Sequence, residues 1–185
     1  MNKKILISTG GSGGHVIPAT IMYKHLEDNF DVSMTSDVRG IKFLNKDEYS
    51  LKIFNVRPIS KNLLIMPFDF LLIIILIFKS ISFLKKNKIN VLISTGGYMS
   101  LPLCIGAKFL DIKLLLFEPN MVLGRSNKFF ISYCQKILCY SSNIKKFPIK
   151  FKNKIKVIPA LLRKTFYDKR DTHNSLDTIN LLIIG

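Results

Sequence analysis

The stretch Gly10-Gly11-Ser12-Gly13-Gly14-His15 decides the fold, because it joins an apolar run typical of a buried strand to a segment with helical spacing of apolar residues. The strand is predicted over Lys4 to Ser8 and the helix over Val16 to Leu26. Such glycines bring bare backbone N–H groups to a helix start, where the partial positive charge favours a phosphate. The loop is neither a P-loop nor a dinucleotide fingerprint, because His15-Val16 stands where those motifs need other residues. A tight turn that requires glycine for a positive φ is the alternative interpretation.

Two further glycine-containing loops follow predicted strands. Thr95 to Pro102, with the sequence TGGYMSLP, comes after a strand at Asn90 to Ser94 and opens a helix. The next strand, Lys113 to Phe117, is followed by Glu118-Pro119-Asn120 and then by the GRSNK stretch, Gly124 to Lys128. In an open parallel sheet, loops at the carboxyl ends of strands face one crevice, and ligands bind there. The three loops are therefore predicted to share one cleft.

Strands alternate with helices along the rest of the chain. Further strands are predicted over Asp31 to Thr35, Leu51 to Val56, Lys136 to Tyr140 and Lys154 to Ile158, and helical segments near Ile41 to Asn45, after Lys61 and over Ser126 to Tyr133. This alternation predicts an α/β fold of the Rossmann type, with a mainly parallel sheet and helices on both faces. The predicted organisation is a domain over residues 1–163, a polar linker over 164–178, and the first strand of a second domain over 179–185, with its apolar core at Ile179 to Ile184.

The motifs GGSGGH, GGYMS and FEPN with a downstream NK resemble the acceptor-side signatures of the MurG family, the peripheral membrane N-acetylglucosaminyltransferases of peptidoglycan synthesis. The likeness extends from Lys3 to about Arg163, in order and at similar spacing. It implies one half of a two-domain GT-B glycosyltransferase. Such an enzyme transfers N-acetylglucosamine (GlcNAc) from UDP-GlcNAc to the undecaprenyl-linked muramoyl-pentapeptide acceptor, converting lipid I to lipid II. The second domain of such enzymes supplies most contacts to UDP.

The resemblance also implies roles for individual residues. Sugar transfer needs a base for the acceptor hydroxyl and stabilisation of the leaving diphosphate. His15 is the leading candidate for the base, with packing or helix capping as its alternative role, and Glu118 is a rival base or a partner that orients His15. Substrate-binding roles are implied for Ser12, Gly13, Gly14, Gly97, Tyr98, Asn120 and Arg163. The glycine loop is expected to bind phosphate, Tyr98 and Asn120 sugar hydroxyls, and Arg163 the donor phosphate.

No metal ion or other cofactor is predicted. The Asp-x-Asp signature of metal-dependent glycosyltransferases does not occur, and His25 and His173 stand isolated. A helix dipole is expected to take the place of a cation. Cys104, Cys134 and Cys139 lack the CxxC spacing of metal or redox sites, so they are predicted to be reduced core residues.

A net charge of +16 predicts an anionic partner. Nucleic acid is not predicted, since no RRM, KH, helix-turn-helix or zinc pattern accompanies the charge. The apolar segment Leu63 to Leu84 has three interpretations: a buried crossover helix, a membrane-spanning helix, or a helix that dips into the headgroup region beside the lysines of residues 85–88. The interfacial interpretation is favoured, because Pro67, Asp69 and Lys79 divide the apolar run.

This interpretation predicts a peripheral protein on the cytoplasmic face of the inner membrane. The apolar run before Gly10 is too short for a secretory signal, so export is not expected. Two alternatives to an enzyme remain open. One is a membrane-docked acceptor-binding subunit that works with a separate donor-domain chain, as in the two-subunit transferases of dolichol-linked glycan synthesis, and the other is an inactive gene fragment.

Overall fold

The computed structural model describes residues 3–56, 62 and 64–168, and its strands form one parallel sheet. The strands are β1 (Lys4–Ser8), β2 (Asp31–Ser36), β3 (Leu51–Ile53), β4 (Val91–Ser94), β5 (Lys113–Glu118), β6 (Lys136–Cys139) and β7 (Ile155–Val157). Their order across the sheet is β3-β2-β1-β4-β5-β6-β7, and every neighbouring pair is parallel. The predicted Rossmann-type sheet is therefore confirmed.

Helices cover both faces of this sheet. They are α1 (Gly13–Leu26), α2 (Met66–Lys86), α3 (Leu101–Phe109), α4 (Arg125–Phe130) and α5 (Lys164–Asp168), with short 3-10 helices at Gly40–Phe43, Lys46–Glu48, Tyr98–Ser100 and Ile149–Lys154. Strand β1 shows the two-layer core, because Leu6 packs with residues of α2, α3 and α4, whereas Ile5 and Ile7 pack with α1. The three cysteines are free and buried, as predicted.

The sheet order places the loops of interest at its centre. The chain runs outward from β1 to β3 and then returns to β4 on the other side of β1. This reversal leaves a crevice outside the carboxyl ends of β1 and β4. Hydrogen bonds join the two strand ends there, from Thr95 N to Ser8 O at 3.0 Å and from Thr95 Oγ1 to Thr9 Oγ1 at 3.0 Å.

Two element boundaries differ from the prediction for clear reasons. Helix α1 begins at Gly13 rather than Val16, because Ser12 has an extended backbone and forms the N-cap. The glycines after it therefore belong to the first helical turn. Strand β3 ends at Ile53 rather than Val56, since it is the edge strand and pairs only with β2.

Helix α2 is buried only in its second half. Ser80 and Leu84 are its buried residues. Its contact with α3 is close at Gly106, where an added Cβ would lie 3.3 Å from Leu84 Cδ1. The first half presents exposed large apolar side chains, namely Phe68, Phe70, Leu71, Leu72, Ile74, Ile75 and Phe78. The interpretation of a buried crossover helix is therefore wrong for this half.

The residues expected to divide the apolar run instead start the helix. Pro67 and Asp69 lie in the first turn of α2, where a missing N–H and a negative charge are both favourable. By length and composition alone, α2 is the one helix in the described part of the chain that is long and apolar enough to cross a membrane.

The segment after β7 packs back against α1. Ile158 and Leu161 join the core cluster of α1, and His25 Nε2 lies 2.8 Å from the Leu162 carbonyl oxygen. Lys164 forms an ion pair with Asp28. Helix α5 thus occupies the start of the predicted linker, whereas the rest of that linker and the predicted strand at Ile179 to Ile184 lie outside the described residues.

Candidate functional site

The loops after β1, β4 and β5 border one cleft with a volume of ≈ 680 Å³. Five predicted site residues line it: His15, Gly97, Tyr98, Glu118 and Asn120. The start of α4 supplies a further wall, made of Gly124, Arg125, Ser126, Asn127 and Phe129. Residues far apart in the sequence meet here because the loops share the carboxyl edge of the sheet.

The backbone of the second loop fixes the His15 ring. His15 Nδ1 lies 2.7 Å from the Thr95 carbonyl oxygen. A carbonyl oxygen only accepts, so Nδ1 carries the proton of the neutral ring and Nε2 keeps a free electron pair. Gly96 and Gly97 adopt φ values of +91° and +79°, and a Cβ on Gly96 would lie 3.5 Å from His15 Cε1. The ring is therefore held with an acceptor nitrogen in the wall of the cleft.

The carboxylate of Glu118 organises the third loop. Oε1 accepts hydrogen bonds from Asn120 N at 3.2 Å and Asn120 Nδ2 at 3.0 Å, and Oε2 from Gly124 N at 2.7 Å and Asn127 Nδ2 at 3.0 Å. Glu118 is only 2% exposed. Both oxygens are thus engaged with neutral donors, which suits a positioning role. The contact that orients the His15 ring in this structure comes from the Thr95 carbonyl, and the roles predicted for Glu118 stay predictions.

Asn127, the asparagine of the downstream NK motif, is a cleft residue. Its side chain is buried, and Nδ2 donates to Phe117 O and to Glu118 Oε2, each at 3.0 Å. Asn127 Oδ1 and the hydroxyl of Tyr98 are buried and have no hydrogen-bond partner among the described residues. Both atoms belong to residues that line the cleft, and the described residues leave their hydrogen-bonding capacity unused. The NK motif was the sequence signal for Asn127.

The glycine loop lies beside the cleft rather than in its lining. Ser12, Gly13 and Gly14 directly precede His15, and within the described residues their backbone N–H groups have no acceptor. The Ser12 side chain makes no cap hydrogen bond either. The three N–H groups and the Ser12 hydroxyl are therefore hydrogen-bond donors at the start of α1, where the helix dipole favours an anion.

Asp37 belongs to none of the sequence motifs, yet it holds the glycine loop in place through a hydrogen bond to the loop backbone. It follows β2, is 1% exposed, and accepts hydrogen bonds at Oδ1 from Gly11 N and Gly40 N, each at 2.8 Å. Burial alone raises the pKa of Asp37, but these bonds and those from Arg39 outweigh it and hold the pKa below its usual value. The loop conformation therefore depends on an ionised, buried carboxylate.

Arg163 is not brought to the cleft. Its neighbours Leu162 and Lys164 contact residues near the end of α1, His25 and Asp28. Because α1 has 14 residues, that end lies about 21 Å along the helix from the glycine loop. Arg163 is thus not a lining residue of this cleft, and its predicted contact with the donor phosphate stays a prediction.

Comparison with known proteins agrees with this geometry. The family model described as the glycosyltransferase family 28 N-terminal domain matches residues 5–139. The chain belongs to this family. The MurG resemblance drawn from the three motifs is thereby confirmed, as is the GT-B type of the half-enzyme fold.

Relatives in this family extend well beyond the matched region. The chain is 86% identical over all 185 residues to the UDP-N-acetylglucosamine--N-acetylmuramyl-(pentapeptide) pyrophosphoryl-undecaprenol N-acetylglucosamine transferase of Pelagibacter ubique, and covers 52% of it. It is 34% identical to the transferase of that name from Rickettsia prowazekii over 164 residues, which are 88% of this chain and 42% of the relative. The chain thus spans about half the length of these curated relatives.

Solved structures share the fold. Acinetobacter baumannii MurG superposes with a TM-score of 0.71 at 24% identity, over 94% of this chain and 50% of that one. The UDP-GlcNAc 2-epimerase of Methanocaldococcus jannaschii gives a TM-score of 0.61 at 16% identity, over 84% and 45% of the two chains.

Proposed function

We propose that the chain forms the acceptor-binding half of an N-acetylglucosaminyltransferase that moves GlcNAc from UDP-GlcNAc to undecaprenyl-linked muramoyl-pentapeptide, in cell-wall synthesis and hence in cell shape and division. The observation that carries the proposal is the His15 ring, whose Nδ1 is fixed by the Thr95 carbonyl in a cleft lined by polar groups. The reaction named for the 86% identical relative supports the same substrates.

In this mechanism His15 Nε2 takes the proton of the attacking sugar hydroxyl as the new glycosidic bond forms, while the bond between the anomeric carbon of GlcNAc and the diphosphate oxygen breaks and UDP leaves with its electron pair. Asn127 Oδ1 and Tyr98 Oη, which have no partner among the described residues, bind sugar hydroxyls and align the acceptor. Glu118 keeps Asn120 and Asn127 in place through its hydrogen bonds. Each group thus has a role that matches its position in the cleft.

The diphosphate needs donors outside the cleft lining. The free N–H groups of Ser12, Gly13 and Gly14 suit it, because they combine with the positive end of α1. Donor contacts also need a second domain or a separate donor-domain chain, since the transferase relatives are about twice as long as this chain.

The role of His15 is tested in this chain joined to a MurG-type donor domain, fused or added in trans. His15→Ala is expected to lower kcat by about 100-fold or more with little change in KM, because only proton transfer in the transition state is lost. His25→Ala is the matched control, since it removes a histidine from the other end of α1. Normal turnover by His15→Ala would exclude His15 as the base and return Glu118 to that role.

Membrane docking is the second part of the proposal. Helix α2 connects the carboxyl end of β3 to the amino end of β4, so it runs antiparallel to the strands. Its exposed apolar half therefore lies at the same edge of the sheet as the cleft. A lipid-linked acceptor has to reach that edge, and an apolar face resting in the headgroup region brings it there.

The expected lysines, Lys85 and Lys86, follow the Phe78 end of this face, and two further lysines lie nearer its other end. Lys85 and Lys86 lie at the far end of α2 from Phe68, about 26 to 27 Å along the helix. Lys52 and Lys79 are closer, since they line a cavity of ≈ 690 Å³ between β3 and α2. These two exposed lysines suit anionic headgroups beside the apolar face.

Binding to vesicles with anionic phospholipid tests this docking. Phe68→Ser and Phe78→Ser, at side chains that are 69% and 67% exposed, should each weaken binding by about tenfold through lost apolar burial. Phe109→Ser is the control, because its side chain is 74% exposed at the end of α3, away from the cleft edge. High salt should release part of the bound protein. Retention through alkaline carbonate would instead indicate a spanning helix.

A further inference from the structure

An arginine that no sequence motif identified stands beside the glycine loop. Arg39 donates from Nε at 2.9 Å and from Nη2 at 2.7 Å to Asp37 Oδ2. The other oxygen of Asp37 binds the backbone of Gly11 and Gly40. One buried carboxylate thus holds both the loop and the guanidinium, and so fixes their relative position.

The guanidinium faces outward from this anchor. Its side chain is 47% exposed, whereas the Asp37 side chain is 1% exposed. The ion pair is therefore oriented, with its negative end buried and its positive end toward solvent. Two of the five guanidinium N–H groups are used by Asp37. The other three have no acceptor among the residues that the structure describes.

The position of this cation links the loop to the cleft. A Cβ on Gly11 would lie 3.5 Å from Arg39 Nη2. The guanidinium carbon also lies 5.0 Å from the ring centroid of Tyr98, a lining residue of the cleft. Arg39 therefore stands where the free N–H groups of the loop and the wall of the cleft come together.

We infer that Arg39 binds a diphosphate at the glycine loop and that Asp37 positions it. The inference rests on the proposed phosphate-binding role of the loop. A diphosphate has two phosphoryl groups, and the site has two sets of donors, the N–H groups of residues 12–14 and the planar guanidinium. Arginine suits the second group, because its parallel N–H donors match phosphate oxygens. Both a lipid-linked diphosphate and a nucleotide diphosphate carry this chemistry.

The test measures binding of two probes, farnesyl diphosphate and UDP, to the 185-residue chain by calorimetry. Arg39→Gln should weaken binding of one or both probes by about tenfold or more, because a charge-assisted hydrogen-bonded contact is lost. Loss for farnesyl diphosphate alone assigns Arg39 to the lipid-linked acceptor, and loss for UDP alone assigns it to the donor. Arg39→Lys keeps the charge without the planar donors and should recover only part of the affinity.

Lys42→Gln is the matched control, since it removes an equal charge from the neighbouring 3-10 helix. A loss equal to that of Arg39→Gln would show that only the overall charge matters and would overturn the inference. Unchanged binding of both probes by Arg39→Gln would overturn it as well. Failure of the unmodified chain to bind either probe would contradict the proposed role of the loop itself.

Asp37 acts through Arg39 in this proposal, and a double-mutant cycle tests that claim. Asp37→Asn should weaken probe binding more in the unmodified chain than in the Arg39→Gln background, where only its effect through the glycine loop remains. A purely structural role for Asp37 predicts instead the same loss in both backgrounds. Thermal unfolding of each variant verifies that the chain compared is folded.

Discussion

The two glycine pairs on either side of Ser12 have the same composition but different physical constraints. Gly10 and Gly11 adopt φ values of +148° and +78°, and a Cβ on Gly10 would lie 2.7 Å from Asp37 Oδ1. Gly13 and Gly14 belong to the first turn of α1, and the nearest atom to a Cβ on Gly14 would be Ser12 Oγ at 3.8 Å. The fold requires the first pair, whereas it leaves open space beside Gly14.

The two interpretations of the loop, a tight turn that requires glycine and a phosphate-binding loop, therefore apply to different glycines. A turn that needs glycine explains Gly10 and Gly11, which face the Asp37 anchor. It does not explain Gly14, where the backbone is ordinary helix and an alanine would fit. The proposed close approach of a ligand to the backbone would supply a physical reason for a glycine at that position.

The largest effect is expected for Gly10→Ala. The added Cβ meets Asp37 Oδ1 at 2.7 Å and Met99 Cε at 2.9 Å, at a backbone conformation that alanine rarely adopts. The free energy of unfolding should fall by about 3 kcal/mol or more. Urea unfolding measures it. A loss below about 1 kcal/mol would show that the two pairs are not under different constraints.

Asp37→Asn should have the next largest effect, about 2 kcal/mol near neutral pH, because a buried charge that holds the loop is lost. The effect should depend on pH. The folded-state pKa of Asp37 lies below the ordinary aspartate value of 3.8, so its contribution is present above that value and disappears as the pH falls through the folded pKa.

Urea unfolding of both proteins between about pH 6 and about pH 2.5 checks this behaviour. The stability difference between the unmodified chain and Asp37→Asn should shrink as the solution becomes more acidic. A difference that stays constant over this range would mean that the charge of Asp37 does not hold the first glycine pair.

Gly14→Ala should separate stability from binding. Alanine favours helix over glycine, so stability should rise by roughly 0.5 kcal/mol. Binding of farnesyl diphosphate should nevertheless weaken by about tenfold, because the new methyl group blocks approach to the backbone N–H groups. Thermal unfolding and calorimetry measure the two effects, and unchanged binding would remove the ligand explanation for this glycine.

Ser12→Ala should have the smallest effect on stability, below about 0.3 kcal/mol, although the loss of an N-cap usually costs about 1 kcal/mol. The reason is that the Ser12 side chain makes no cap hydrogen bond. Urea unfolding at neutral pH provides the measurement. A full cap penalty would indicate that the hydroxyl bonds to the helix rather than remaining available to a ligand.

The sequence predicts the framework of the site well. Strands β1 and β4 are short apolar runs that end at glycine loops, and both were placed with nearly correct bounds. The meeting of three loops also follows from the sequence, because parallel strands align their carboxyl ends. The roles of His15 and Glu118 come from the resemblance to the MurG family, and the structure places both residues at the cleft.

The residues that anchor the loops were harder to predict. Asp37 is 26 residues from Gly11 in the chain, and their contact depends on β2 lying beside β1, which no local pattern specifies. The exposed apolar side chains of α2 agree with the favoured interfacial interpretation, but hydropathy alone does not indicate which residues of α2 a neighbouring helix covers. Both features arise from tertiary packing.

The contact at Gly106 has a geometric consequence for a lipid-linked acceptor. Leu84 of α2 packs against Gly106 of α3, and α3 begins directly after the loop that carries Tyr98. The apolar helix and one wall of the cleft are therefore parts of the same rigid piece. We propose above that α2 rests at the headgroup level. In that position, the contact between α2 and α3 sets the height of the cleft above the bilayer. An acceptor sugar joined to its lipid through a diphosphate has a short reach, so this helix contact has to match the height of the cleft to the length of that diphosphate link.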